Sequence, residues 1–211
     1  MNTTLILASV FGIFIPALML PGPDFIAVVR ASMTRGAAAG LMTTIGVTLG
    51  LGFYASLSLI GLSALLVEYQ WLAWTVRVLG GCYLIYLGIR LFLASRGTPE
   101  EIVIEANRPR GNPLVFGFLV TLTNPKAIVL FASVFAPAVT QATPLWLMAL
   151  MIALVMASSF LWYAIVSLFM SSAPVMRRFR NAQHWIERLA GVCFVAIGGR
   201  ILADARNPVT P

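Results

Sequence analysis

Long apolar runs constrain this chain more than any other feature. Six can be drawn, at about 3–20, 38–66, 71–94, 113–137, 144–171 and 185–203, and the first can be continued through a break to about residue 33. A helix needs roughly 20 apolar residues to cross the hydrocarbon core of a bilayer. Each run is therefore a candidate span. The charge content agrees, since 60% of the residues are hydrophobic and only 10% are charged, whereas a soluble domain is about a quarter charged. The sequence predicts an all-α integral membrane protein that crosses the lipid bilayer six times.

The arginines give these spans an orientation. Arg30 and Arg35 lie between runs one and two; Arg96, Arg108 and Arg110 lie between three and four; Arg177, Arg178 and Arg180 lie between five and six. The other two connections carry no Lys or Arg. By the positive-inside rule the arginine-bearing loops are cytoplasmic, which places both termini outside. Arg77, Arg200 and Arg206 run against that assignment. The net charge of +7 thus belongs to membrane topology, not to a nucleic-acid surface. Cys82 and Cys193 fall inside apolar runs and are expected to be inert core thiols. No cleavable signal peptide is expected, because no Lys or Arg precedes the first run.

Two of the runs are interrupted. The first meets "PGPDF", with Pro21, Gly22, Pro23 and Asp24, and the fourth holds "TNPKA", with Asn124, Pro125 and Lys126. Proline removes a backbone N–H and clashes with the preceding turn. The carbonyls it frees have no water to bind in hydrocarbon, so irregular backbone is tolerated there only inside protein or beside a wet cavity. Asp24 has two readings. It caps the helix that follows the break at the cytoplasmic surface, or it lies in a cavity. Lys126 is the only lysine in the chain and sits mid-run. A charge at that depth costs several kcal/mol and is usually paired or functional; the alternative is that it snorkels to the surface. An acid and a base facing one cavity would match the two ends of a zwitterion, and Asp24 could also carry a proton.

The halves echo each other. "GCYLIYLGIRLFLA" from Gly81 and "GVCFVAIGGRILAD" from Gly191 both read G-x6-G-x-R, and a shift of 102 carries Pro23 to Pro125 and Asp24 to Lys126. Three spans per half is an odd number, so the second half would enter the membrane from the opposite side, as in the inverted repeats of secondary transporters. The expected organisation is one repeat over 1–94, a cytoplasmic linker over 95–112 and a second repeat over 113–211. Gly36, Gly40, Gly46 and Gly50 have the spacing of close helix packing or dimerisation, with substrate contact the lesser alternative, and Thr43, Thr44 and Thr48 are expected to bond within their own helix, the alternative being toward a cavity. With Asp24 the one well-placed acid, no metal site is expected. No Gly-Lys-Ser/Thr phosphate loop is present, so no ATP drive or other cofactor is implied. The absence of Cys-x-x-Cys argues against a membrane thiol carrier, and nothing marks an enzyme.

The stretch "PGPDFIAVVRASMTRGAAAGLMTTIGVTLG" at 21–50 resembles the N-terminal signature of the LysE/RhtB family of amino-acid exporters. "GGCYLIYLGIRLF" at 80–92 and "GFLVTLTNPKAIVLFASVFAPAV" at 117–139 resemble its third and fourth segments, in the expected order. The resemblance implies a bacterial inner-membrane exporter of amino acids or close derivatives, driven by protons and associating as a homodimer. It implies substrate contact at Pro21, Gly22, Pro23, Asp24, Asn124, Pro125 and Lys126. It does not choose the amino acid, and a cation exporter of the wider superfamily is the alternative.

Overall fold

The computed structural model describes residues 3–62, 68–94, 111–139, 143–169 and 173–205, and every element among them is helical. Helices α1 (Thr3–Met19) and α2 (Pro23–Arg35) meet at a 44° bend. Helix α3 (Ala37–Ser56) runs into a wide π-helical turn over Leu57–Leu62, and α4 spans Gln70–Ala94. Helices α5 (Pro113–Leu122) and α6 (Pro125–Leu130) meet at a second bend of 53°, and α6 continues as a π-helical segment to Phe135. Helix α7 spans Leu145–Phe169 and α8 spans Ala173–Asp204. The linker reading for 95–112 lies outside the described residues except at Gly111 and Asn112.

Ala37–Gly61 and Leu145–Phe169 are each long and apolar enough to cross a membrane unbroken, and each bent pair supplies one more crossing if taken as a broken span. Length and composition thus give two to four crossings among the described residues, fewer than the six read from the sequence. Helix α4 carries Arg77 and Arg90, and the apolar part of α8 is confined to Gly191–Ala203. Helix α8 also begins earlier than expected. Arg177, Arg178 and Arg180 lie on its backbone and not in a loop. Pro174 suits a first helical turn, and no proline or glycine interrupts the chain from there to Gly191.

Lipid tails are as apolar as leucine, so burial alone does little to join helices in a bilayer; close packing and hydrogen bonds must do it. The glycines show how. A Cβ placed on Gly81 would lie 3.0 Å from the Gly198 carbonyl, and one on Gly198 would lie 2.7 Å from that of Gly81. Gly88 and Gly191 approach in the same reciprocal way, at 2.6 and 2.8 Å. Helices α4 and α8 therefore touch backbone to backbone. On α3, Gly40 lies against the Ser32 and Ser167 hydroxyls, Gly46 against the Leu114 carbonyl, and Gly50 against Thr121, whose Cβ would lie 2.7 Å from a Cβ placed on Gly50. Gly36 differs, because its φ is +87° and a Cβ there would meet nothing within 4 Å among the described residues, so it forms the α2–α3 turn instead of a packing contact. Across that end of the bundle, Arg35 Nη1 donates to the Gly111 carbonyl at 2.9 Å.

A phenylalanine cluster fills the space between α1 and the continuation of α6. Phe14 meets Phe135 edge-on at 5.6 Å, and Phe131 and Phe135 stand 4.6 Å apart. Large apolar side chains such as Phe53, Leu79, Leu93 and Leu161 cover the outside, with Trp71, Trp74, Trp146 and Trp185 also exposed. Exposed apolar side chains in this number suit lipid. Cys82 and Cys193 lie on this outer surface, exposed and unpaired, and not in the core as expected. The glycines of α4 and α8 claim the inner faces, which turns the cysteines outward.

Candidate functional site at the two helix breaks

The first break leaves acceptors without donors. In an unbroken helix the Ala17 carbonyl would accept from the N–H of residue 21, but Pro21 has none. Lys126 supplies the missing donor from another part of the chain: its Nζ donates to Ala17 O at 2.7 Å and to Leu20 O at 3.4 Å. Those carbonyls form the C-terminal end of α1, where the helix dipole also favours a cation. Gly22 makes the approach possible, since a Cβ there would lie 3.3 Å from Lys126 Nζ. The Gly22 position caps α2 with no side-chain hydrogen bond.

The second break is capped by its own residue. The Asn124 side-chain oxygen accepts from the Lys126 backbone N–H at 3.0 Å and so starts α6. That commits the Lys126 N–H and leaves the Leu122 carbonyl without its helical donor. Tyr54 provides one, its hydroxyl donating at 2.7 Å, while its ring stacks on Phe131 at 6.1 Å. Once Asn124 Oδ1 is spent on the cap, its amide nitrogen must point elsewhere.

It points at Asp24. Asn124 Nδ2 donates to Asp24 Oδ2 at 2.9 Å, and Thr121 Oγ1 stands 3.0 Å from Asp24 Oδ1. Asp24 is 4% exposed, and its partners Asn124 and Thr121 are as deeply buried. The capping alternative for Asp24 is thereby overturned: the carboxylate spends both oxygens across the bundle and none on its own helix end. Its place in the first turn of α2 still lets the helix dipole favour its charge. No direct ion pair joins it to Lys126 among the described residues; each charge is held by the other's helix break.

Pro21, Gly22, Pro23, Asp24, Asn124, Pro125 and Lys126 therefore gather at one place, whereas Gly36, Gly40, Gly46 and Gly50 do not touch it except through Gly50 and Thr121. Ala17, Leu20, Tyr54 and Thr121 were not singled out in the sequence. For Thr121 a signal exists, a hydroxyl four residues before Pro125 in an apolar run. The carbonyls and Tyr54 offer none. Thr43 bonds within its own helix as expected, but Thr44 reaches across to the Tyr163 carbonyl at 3.2 Å, and among the described residues the buried hydroxyls of Thr48 and Ser159 find no hydrogen-bond partner. Among the described residues no group of three His, Cys, Asp or Glu could hold a metal ion.

Known proteins resemble the chain over most of its length. The LysE type translocator family profile matches residues 15–205. The threonine efflux protein of Escherichia coli K12 is 30% identical over 195 residues, covering 88% of this chain and 92% of that protein. An uncharacterized membrane protein of Haemophilus influenzae is 29% identical over 99% of both chains. The leucine efflux protein of Salmonella choleraesuis is 30% identical over 60% of this chain and 59% of its own length. No solved structure matches the chain. With a match that takes in both helix breaks and nearly every described helix, the chain belongs to the LysE type translocator family, a family of membrane transporters and not of enzymes.

Proposed function

We propose that this protein exports amino acids or close derivatives across the bacterial inner membrane by proton antiport, with Asp24 and Lys126 at the substrate site. The observation that carries the proposal is the reciprocal bracing of the two breaks, Lys126 on the carbonyls of the first and Asp24 on the amide and hydroxyl of the second. Each bond can be exchanged for a substrate bond. An α-ammonium group competes for the Asp24 carboxylate. An α-carboxylate competes for the Lys126 ammonium, which has three N–H donors. Binding both ends of a zwitterion would then release the two braces together and free the bent helices to move. A proton arriving from outside on Asp24 displaces the ammonium group and expels the substrate. Its release to the cytoplasm resets the site.

The same proposal includes six spans in two inverted halves, 1–94 and 113–211, joined by a cytoplasmic linker over 95–112, with both termini outside. The Gly81–Gly198 and Gly88–Gly191 approaches support it, because they exchange equivalent positions of the two G-x6-G-x-R motifs as a two-fold axis would. The paired bends support it too. The Arg35–Gly111 bond agrees with two arginine-bearing loops on one face. A homodimer is carried as part of the proposal, and crosslinking through the exposed Cys82 or Cys193 tests it.

Threonine and leucine are the first substrates to try, since relatives are named for their efflux. Counterflow of a labelled amino-acid panel in proteoliposomes tests the function. Accumulation of one or more amino acids by the wild type and none by Lys126→Ala is expected. No counterflow of any amino acid by the wild type would reject the proposal.

A further inference from the structure

We infer that Thr121 and Asn124 together assign the exchangeable proton of Asp24 to a single atom, Oδ1, and that Thr121 is a positioning residue whose hydroxyl keeps that atom hydrogen-bonded whether or not it carries the proton. This rests on the reading of Asp24 as the proton carrier, and goes beyond it by naming the atom and the residue that serves both states.

The cap fixes the orientation of Asn124. Its Oδ1 accepts from the Lys126 N–H at 3.0 Å, so its Nδ2 faces Asp24 Oδ2 at 2.9 Å. Turning the amide over would set donor against donor at Lys126 and acceptor against acceptor at Asp24. In the braced, substrate-free site Oδ2 therefore faces a donor in both protonation states. A carbonyl oxygen accepts better than an acid hydroxyl, so in the neutral acid Oδ2 is the carbonyl and Oδ1 holds the proton.

Thr121 then has to serve an atom that changes from acceptor to donor. Its Oγ1 lies 3.0 Å from Asp24 Oδ1 and 3.1 Å from the Gly117 carbonyl. A hydroxyl has one proton to give and two lone pairs to receive with. When Asp24 is ionised, the Thr121 proton points to Oδ1. When Asp24 is protonated, Oδ1–H donates to Oγ1 and the Thr121 proton turns to the Gly117 carbonyl. That carbonyl's second lone pair accepts it. Only the hydroxyl hydrogen rotates; no heavy atom moves and no bond is made or broken beyond the proton transfer to Oδ1. A buried carboxyl without such a partner would lose a hydrogen bond in one of its two states, at the full cost of an unsatisfied buried group. Other titratable groups within electrostatic reach of Asp24 are Lys126 on α6, Tyr54 on α3 and Tyr163 on α7. None of them bonds Oδ1, so Thr121 alone serves that atom among the described residues.

The substitution Thr121→Val removes the hydroxyl and keeps the methyl that packs on Gly50; Thr121→Ser keeps the hydroxyl. The purified full-length protein is titrated by infrared difference spectroscopy, and its export rate is measured against pH in proteoliposomes. The wild type should show a protonated carboxyl C=O band that Asp24→Asn removes. In Thr121→Val that band should move to higher wavenumber, and the pH midpoint of export should shift by about one unit. Thr121→Ser should leave both unchanged, and Thr121→Ala provides the same comparison if the valine variant does not fold. An Asp24 band and pH midpoint left unmoved by both Val and Ala would overturn the role of Thr121 while leaving Asp24 as the carrier. Absence of any band that Asp24→Asn removes would overturn the carrier reading, and this inference with it.

Discussion

The two helix breaks use the same device with opposite signs. At Pro21-Gly22-Pro23 the prolines remove donors and Gly22 offers no side chain, so the break is rich in carbonyls and takes a cation, Lys126. At Asn124-Pro125 the cap is built in, and after Asn124 Oδ1 has started α6 the break has a spare amide and a hydroxyl to donate. It takes an anion, Asp24. The charge that each break attracts follows from its hydrogen-bond deficit. This explains why a shift of 102 carries an acid onto a base. It also explains why neither charge needs the other directly.

The comparison can be broken by removing one brace at a time. Lys126→Ala should have the largest effect, since it leaves the Ala17 carbonyl buried without a donor as well as deleting the charge. Such an orphan costs about 1–3 kcal/mol, so export should fall to background and thermal stability in detergent should drop. Asp24→Asn is nearly isosteric and should abolish pH-driven export while the protein still inserts and elutes as the wild type does on size exclusion. Tyr54→Phe removes only the donor to the Leu122 carbonyl. It should lower stability by about 1 kcal/mol, read as a lower melting temperature, with export reduced but measurable. Gly22→Ala should be mildest. Its new methyl meets the flexible end of Lys126 at 3.3 Å, so the lysine can shift by a few tenths of an ångström. A modest rise in the substrate concentration needed for half-maximal export is expected, with the maximal rate kept.

The sequence made one part of this arrangement readable and hid another. The Pro-Gly-Pro cluster and the Asn-Pro pair mark the two breaks because their backbone chemistry is local, whereas Pro16 alone leaves α1 unbroken. Lys126 and Asp24 stood out because charge is rare and costly in an apolar run. The partners of those charges were not readable. Ala17 and Leu20 contribute only carbonyls, and every residue has one. Tyr54 lies in another helix, and nothing in its own neighbourhood points to Leu122. The choice for Asp24 between a cap and a cross-bundle contact depended on where α5 and α6 pack, which is tertiary information. Helix α8 departs from expectation for a different reason: a cluster of arginines looks like a loop by charge, yet without a breaker it continues the helix. The thiols went astray because apolar runs do not say which face turns inward.

In the proposed cycle Asp24 couples amino-acid export to protons from the braced position between the breaks. Export of labelled threonine, or whichever amino acid the panel selects, can be followed in proteoliposomes holding wild-type or Asp24→Asn protein, with and without an imposed pH gradient. The gradient should accelerate export by the wild type and have no effect on Asp24→Asn. Gradient-driven export by Asp24→Asn at the wild-type rate would contradict this coupling.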